Sequence, residues 1–257
     1  MVSESNQEKK ILFTGVTFEK TDLSILRKKK GDSLPVTFEF DQCTFKDELS
    51  FGPAMDEFQS FQPSLLFRNC SFEGEIKGNR TQFSGQVSFG KCRFKKPVSV
   101  QNSVFLSPAS FIDCTFDQDA QFQNAIFLKE SSWQSSHFYG IAFFQSVRFF
   151  EKAQFSNVVF HSNADFTLCR FSEGASFDFA RSEGKLDLSE SRLEGLTTFR
   201  KAELLKRVSI ENLRSFGQLR FLNTRFEDSL SSKGARFFAE KPEIIQPQGA
   251  IRPIITY

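Results

Sequence analysis

Residues 105–127 read FLSPASFIDCTFDQDAQFQNAIF. Phenylalanine falls at 105, 111, 116, 122 and 127, so steps of six and five residues alternate. Four such steps make a period of 22, and rows of 22 keep the register from Phe67 to Phe226. The first column is Phe67, Phe89, Phe111, Trp133, Phe155, Phe177, Phe199 and Phe221. The second is Phe72, Phe94, Phe116, Phe138, Phe160, Ser182, Leu204 and Phe226. The third runs Gly78, Val100, Phe122, Phe144, Phe166, Leu188, Ile210 and Ser232, and the fourth Phe83, Phe105, Phe127, Phe149, Phe171, Leu193, Ser215 and Phe237. Phe is 35 of 257 residues, so chance does not place it this way. A fixed period of roughly 20 residues or more marks stacked structural repeats.

A small or aliphatic residue stands two places before each large one: Cys70, Cys92 and Cys114 before the second column, Ala120, Ala142 and Ala164 before the third. A spacing of two puts both side chains on one face of an extended chain. Each unit therefore reads as a very short strand followed by a turn, with four units per coil. Helix is excluded by the filler of Ser, Thr, Asn, Gln and Gly, which suits strands and turns. The predicted fold is an all-β, four-sided parallel β-helix of about ten coils, roughly 48 Å long at about 4.8 Å per layer.

Phe13 and Phe18 precede Phe40 and Phe45 by 27, as those precede Phe67 and Phe72. Each of the first two coils is thus longer by five, with one insertion within Glu19–Pro35 and the other within Gly52–Pro63. The chain divides into a polar segment 1–10, one solenoid domain 11–240, and a tail 241–257. The tail carries Pro242, Pro247 and Pro253 among five isoleucines, and is expected to leave the repeat and either cap the last coil or dock into another chain.

The alternating small–x–Phe units, with Ala164-Asp165-Phe166 and Ala120-Gln121-Phe122 as the nearest to type, resemble the pentapeptide-repeat family in its Phe-rich branch. The resemblance covers nearly the whole chain apart from the tail 241–257. It implies a right-handed sense for the β-helix. It does not fix an activity, because members of the family do different things. Some mimic duplex DNA and bind a type II topoisomerase, which would need rows of carboxylates. The longest acidic column here is Asp165 over Asp187.

Net charge is +2, so no polyanionic partner is demanded. Met1–Lys10 is polar and no run of 18 apolar residues occurs, which predicts neither a secretory leader nor a membrane span. Cys43, Cys70, Cys92 and Cys114 share one inward column; with Cys169 they read as reduced, buried filler rather than a thiolate metal site. Reduced thiols fit a cytoplasmic location. His137 and His161 lie 24 apart, out of the 22 register, and are expected to point outward without stacking. No acid–base pair recurs at a repeated spacing, so the chain reads as a non-enzyme that needs no cofactor or metal.

Two outward columns and one loop supply candidate contacts. Arg148, Arg170, Arg192, Arg214 and Arg236 recur once per coil, each just before the fourth inward column, with Glu151, Glu173, Glu190 and Glu194 within range. Leu106, Leu128 and Phe150 follow that column at corners that are normally polar; they are either tucked corners or an exposed patch. Lys28, Lys29 and Lys30 lie in the first insertion. Residues 197–241 hold ten Lys/Arg against five acids, which biases that end toward an anion. The function that fits is a non-catalytic interaction or scaffold module binding a protein. The alternatives are the topoisomerase-binding DNA mimic, and direct binding of nucleic acid or an anionic surface through the arginine column. Open strand edges at the ends, and the flat sides, would also admit a second copy end to end or side by side.

Overall fold

The computed structural model describes residues 9–23, 36–51, 59–247 and 254–256. Four parallel sheets of 11, 10, 11 and 9 strands form the four walls of a β-solenoid. The first wall runs from Lys9–Thr14 to Glu243–Ile245, the second from Thr17–Phe18 to Arg225–Phe226. The third runs from Thr21–Asp22 to Ile254–Thr256, the fourth from Gln59–Phe61 to Arg236–Phe237. Most strands are very short, and neighbours in a wall pair one full period apart, as Phe94 does with Phe116.

The columns read from the sequence are the core. Phe111, Phe116, Phe122 and Phe127 sit one per wall in a single coil, each 0–1% exposed. Down a column the rings lie nearly parallel: Phe116 and Phe138 stack with centroids 4.5 Å apart, Phe122 and Phe144 at 4.8 Å. Across columns they meet edge to face, as Phe144 meets Phe155 at 88°. Both geometries suit the ring quadrupole, so the core is an aromatic lattice as far as Phe171 and Phe177, beyond which Leu188, Leu193, Leu204 and Ile210 replace most of the rings. Gly78 belongs to it: an added Cβ would press within 3.2 Å of Phe51 and Phe83.

The alternation of five and six has a backbone cause. At both five-residue corners, from the first wall to the second and from the third to the fourth, one residue per coil adopts left-handed φ near +52 to +60°. Asn69, Asp113, Asn157 and Asn223 do so at one corner, Asn102, Asn124 and Asn212 at the other. Asn and Asp tolerate this conformation better than other non-glycine residues. Leu168 and Phe179 hold it as well, and both are exposed.

The small residue after such a corner often carries a hydrogen bond into the preceding coil. Cys70, Cys92, Cys114 and Cys169 donate from Sγ to the carbonyls of Phe40, Phe67, Phe89 and Phe144 at 2.9–3.6 Å. Ser103, Ser136 and Ser191 donate in the same way and also accept from a backbone N–H of that same coil, as Ser136 does from Cys114. Cysteine, serine and threonine fill this column because they are small and can satisfy a buried backbone group. The five cysteines are buried and unpaired. For Cys70, hydrogen bonding with Cys92 and burial push the thiol well above its ordinary value; burial does so for Cys169.

The first coil departs slightly from plan. Leu23, 4% exposed, takes the third inward place, and Thr21–Asp22 pairs with Leu49–Ser50. Gln59–Phe61 is likewise a regular strand, with Phe61 facing Phe83. The rest of the spans Glu19–Pro35 and Gly52–Pro63, in which the sequence places the two insertions, including Lys28, Lys29 and Lys30, lies outside the described residues.

The tail adds strands to the last coil. Glu243–Ile245 adds a strand beneath Arg220–Leu222, with Ile244 opposite Phe221, and Ile254–Thr256 adds one beneath Ser229–Ser231. The separations are 23 and 25 rather than 22, so the tail leaves the repeat while still pairing, and both strands are outermost in their sheets, where proline nearby is tolerated.

Candidate interaction wall

The outward side of the fourth wall is built from the residues flanking its inward ring. Register places Arg148, Arg170, Arg192, Arg214 and Arg236 opposite one another on successive strands, and all five are exposed. Each precedes an inward residue, and strand alternation alone turns it to solvent.

The acids do not neutralise this ladder as the spacing suggested. Among the described residues Glu194 alone pairs with it, accepting from Arg170 at 3.0 Å and from Arg192. Partial burial pushes the Glu194 carboxyl up, but hydrogen bonds from Arg192 and Arg170 outweigh this and hold it below its ordinary value. Glu151 pairs with Lys129 instead, and Glu173 and Glu190 pair with no ladder arginine. Arg192 also lies over the Phe216 ring, 4.0 Å from its centroid, a cation–π contact that fixes the guanidinium plane. Among the described residues Arg148, Arg214 and Arg236 have no carboxylate partner.

The apolar column lies on the same wall. Leu106 and Leu128 are half-buried, while Phe150 is 43% exposed, so the tucked-corner reading holds for the first two in part and fails for the third. Farther along, Phe216 and Phe238 are 38% and 57% exposed and stack at 4.5 Å. Val104 and Ile126 were missed as candidates. They occupy the arginine column itself, since Val104 pairs with Ile126 and Ile126 with Arg148. Continuing the same count from Arg148 toward the N-terminus would have found them. The wall is therefore divided: Val104, Leu106, Ile126 and Leu128 in one half, the arginines with exposed Phe rings in the other.

The other walls spend their charges on themselves. On the second, Lys95 meets Glu73 at 2.7 Å, Arg93 meets Asp117 at 2.8 Å, and Arg225 meets Glu227 at 2.5 Å. On the third, Asp165 accepts from Gln145 and Asp187 pairs with Lys185. The basic excess of residues 197–241 is absorbed only in part: Arg200, Arg207, Arg220 and Arg225 pair with Asp178, Glu211, Glu243 and Glu227.

The histidines do meet, contrary to expectation. His137 precedes its inward Phe138 and His161 follows its inward Phe160, so a separation of 24 makes them diagonal neighbours on the second wall. His137 Nδ1 lies 3.3 Å from His161 Nε2, and Tyr139 stacks on His161 with centroids 4.2 Å apart. His161 Nδ1 lies 2.9 Å from Glu183, which also accepts from Arg181, itself paired with Glu203. Partial burial, and secondarily the charge of His161, lower the His137 pKa. The hydrogen bond from Arg181, then that from His161, holds Glu183 below its ordinary value. This is a hydrogen-bonded chain on an open wall. Among the described residues no group of three or more His, Cys, Asp or Glu is placed to hold a metal ion, and no helix is long and apolar enough to cross a membrane.

Comparison with known families bears on the coils themselves. A family model described as "Pentapeptide repeats (9 copies)" matches residues 79–126. Residues 79–126 carry pentapeptide repeats. The matched stretch includes most of the 105–127 segment, and the same pairing register continues on both sides of it. The repeat is a structural one, in a family not typically catalytic and suited to protein interaction. Searches of curated proteins and of solved structures found no match.

Proposed function

We propose that this solenoid is a non-catalytic interaction module whose contact surface is the fourth wall. The observation that carries the reading is an arginine ladder of five rungs served, among the described residues, by one carboxylate, Glu194, on a wall that also exposes Phe150, Phe216 and Phe238. Exposed guanidiniums without partners keep their hydrogen-bonding capacity for an anionic group, and exposed rings beside them supply contact area. The partner is an acidic protein, and the location is cytoplasmic, in keeping with five free buried thiols. A duplex-DNA mimic fits less well, since it needs long carboxylate rows and the acidic columns here reach only two coils, as in Asp165 over Asp187, both already engaged.

Site-specific photo-cross-linking in native extract tests the reading. A cross-linker at Ser172 on the fourth wall should give a discrete adduct that added salt suppresses. The same group at Lys77, on the third wall, should give none. Equal labelling from both positions, or labelling from Lys77 alone, refutes the assignment of the wall.

A further inference from the structure

The shape of the occupant follows from spacing, and the inference rests on the fourth wall being the contact surface. We propose that this wall binds an amphipathic α-helix lying along the solenoid axis. Its acidic stripe sits over the arginine rungs and its apolar stripe over Val104, Leu106, Ile126 and Leu128.

Successive strands are about 4.8 Å apart, so the rungs present one guanidinium at each such step. Along an α-helix, residues three and four apart share a face and rise about 4.5 and 6 Å, averaging about 5.4 Å per turn. That difference is small enough for a long arginine side chain to absorb over the ladder. An extended peptide is a poorer fit, because its side chains on one face recur about every 6.6 Å and fall out of step within a few rungs. Phosphates of a duplex strand advance only about 3.4 Å along the axis, and they gain nothing from an apolar half-wall.

The division of the wall then gives the ligand its sequence character. Val104 and Ile126 stand in the same column as the arginines, so one straight object meets apolar rungs first and cationic rungs after. From Val104 to Arg236 the wall spans about 29 Å, the length of about 20 helical residues. Glu194 already occupies the inner sides of Arg170 and Arg192, so Arg148, Arg214 and Arg236 are the rungs open to the helix. The exposed rings Phe150, Phe216 and Phe238 flank the ladder and would cover the aliphatic stems of the ligand's glutamates.

The test uses the full chain and a fluorescent alanine-based peptide long enough to span the wall. Leucines form a stripe in one half, and glutamates three and four apart form a stripe in the other. A control of equal composition carries two interior prolines, and a second control is a single strand of DNA of the same number of units. Anisotropy at low salt should show binding of the helical peptide. Arg214→Glu with Arg236→Glu should weaken it by roughly tenfold. Ile126→Asp should also weaken it, whereas Lys77→Glu should not. Circular dichroism confirms that each variant is folded, which the exposure of Arg214, Arg236 and Lys77 favours and which the half-buried Ile126 makes necessary to check. Equal binding of the proline control would leave the wall as a contact surface and eliminate the helix. Tighter binding of the oligonucleotide would replace the protein occupant with nucleic acid. No binding of any probe would overturn the helix, while the cross-linking result would still decide whether the wall is used.

Discussion

At the scale of single residues, the corners show where this chain departs from its own rule. Leu168 occupies a column in which Asn102, Asn124 and Asn212 also stand, all with φ near +55 to +59°. Leucine bears the full steric cost of that conformation and gains little burial, being 55% exposed. Leu168→Asn should therefore stabilise the protein by about 1 kcal/mol, read as a higher denaturation midpoint in guanidinium. An unchanged or lower midpoint would mean that the leucine makes contacts worth the strain. The inward residues were legible in the sequence because each position is a fixed sum of fives and sixes. The left-handed positions were not, because Asn, Asp, Ser, Lys, Glu, Arg, Leu and Phe all occupy them and no residue type marks the place. The thiol-to-carbonyl bonds were equally hidden: cysteine in a column reads as filler until the preceding coil's carbonyl is seen within reach.

At the scale of strands, the second wall shows why side-chain pairing escaped a count of 22. An outward residue on one strand lies beside the outward residue on the far side of the ring in the next coil, a separation of 24. Arg93 with Asp117, Arg170 with Glu194 and His137 with His161 all obey it. The histidine pair gives a pH dependence of definite sign. The folded state lowers the His137 pKa from its ordinary 6.5, so the unfolded chain takes up a proton more readily. Stability is then full above about pH 6.5 and falls as the pH drops below it. Glu183, also lowered, acts in the same direction at more acid pH. The groups beside His137 are His161 and Tyr139, with Glu183 and Arg181 beyond them. Between about pH 7 and pH 5.5 the thermal midpoint should decline, and His137→Gln should flatten that decline. A slope unchanged by the substitution would place the acid sensitivity elsewhere.

At the scale of the whole molecule, the two outermost tail strands close one end of the rod. Prolines mark this segment as a departure from the 22-residue repeat, yet three-residue strands fit between them and pair with the last coils at separations of 23 and 25. A cleft of about 410 Å³ remains there, lined by Ile210, Leu230, Phe237 and Ile244 among others. Deleting 241–257 would uncover Phe221 and Leu230, now 0–1% exposed, together with the backbone edges beside them. Concentration-dependent association with unchanged β-sheet signal should follow, seen by light scattering and circular dichroism. A truncated chain that stays monomeric at high concentration would show that the edge is harmless.

The uniform stacking makes this protein a ruler graduated in coils. Excising residues 151–172 would bring Phe150 to Glu173, which stands where Glu151 stood, so every wall would close again in register. The rod would shorten by about 4.8 Å and lose one arginine rung, and Trp133 would meet Phe177, Phe138 Ser182, Phe144 Leu188 and Phe149 Leu193 inside. Length, and with it the number of charges offered along one side, is a quantity this architecture can change in whole steps without losing the register of its walls.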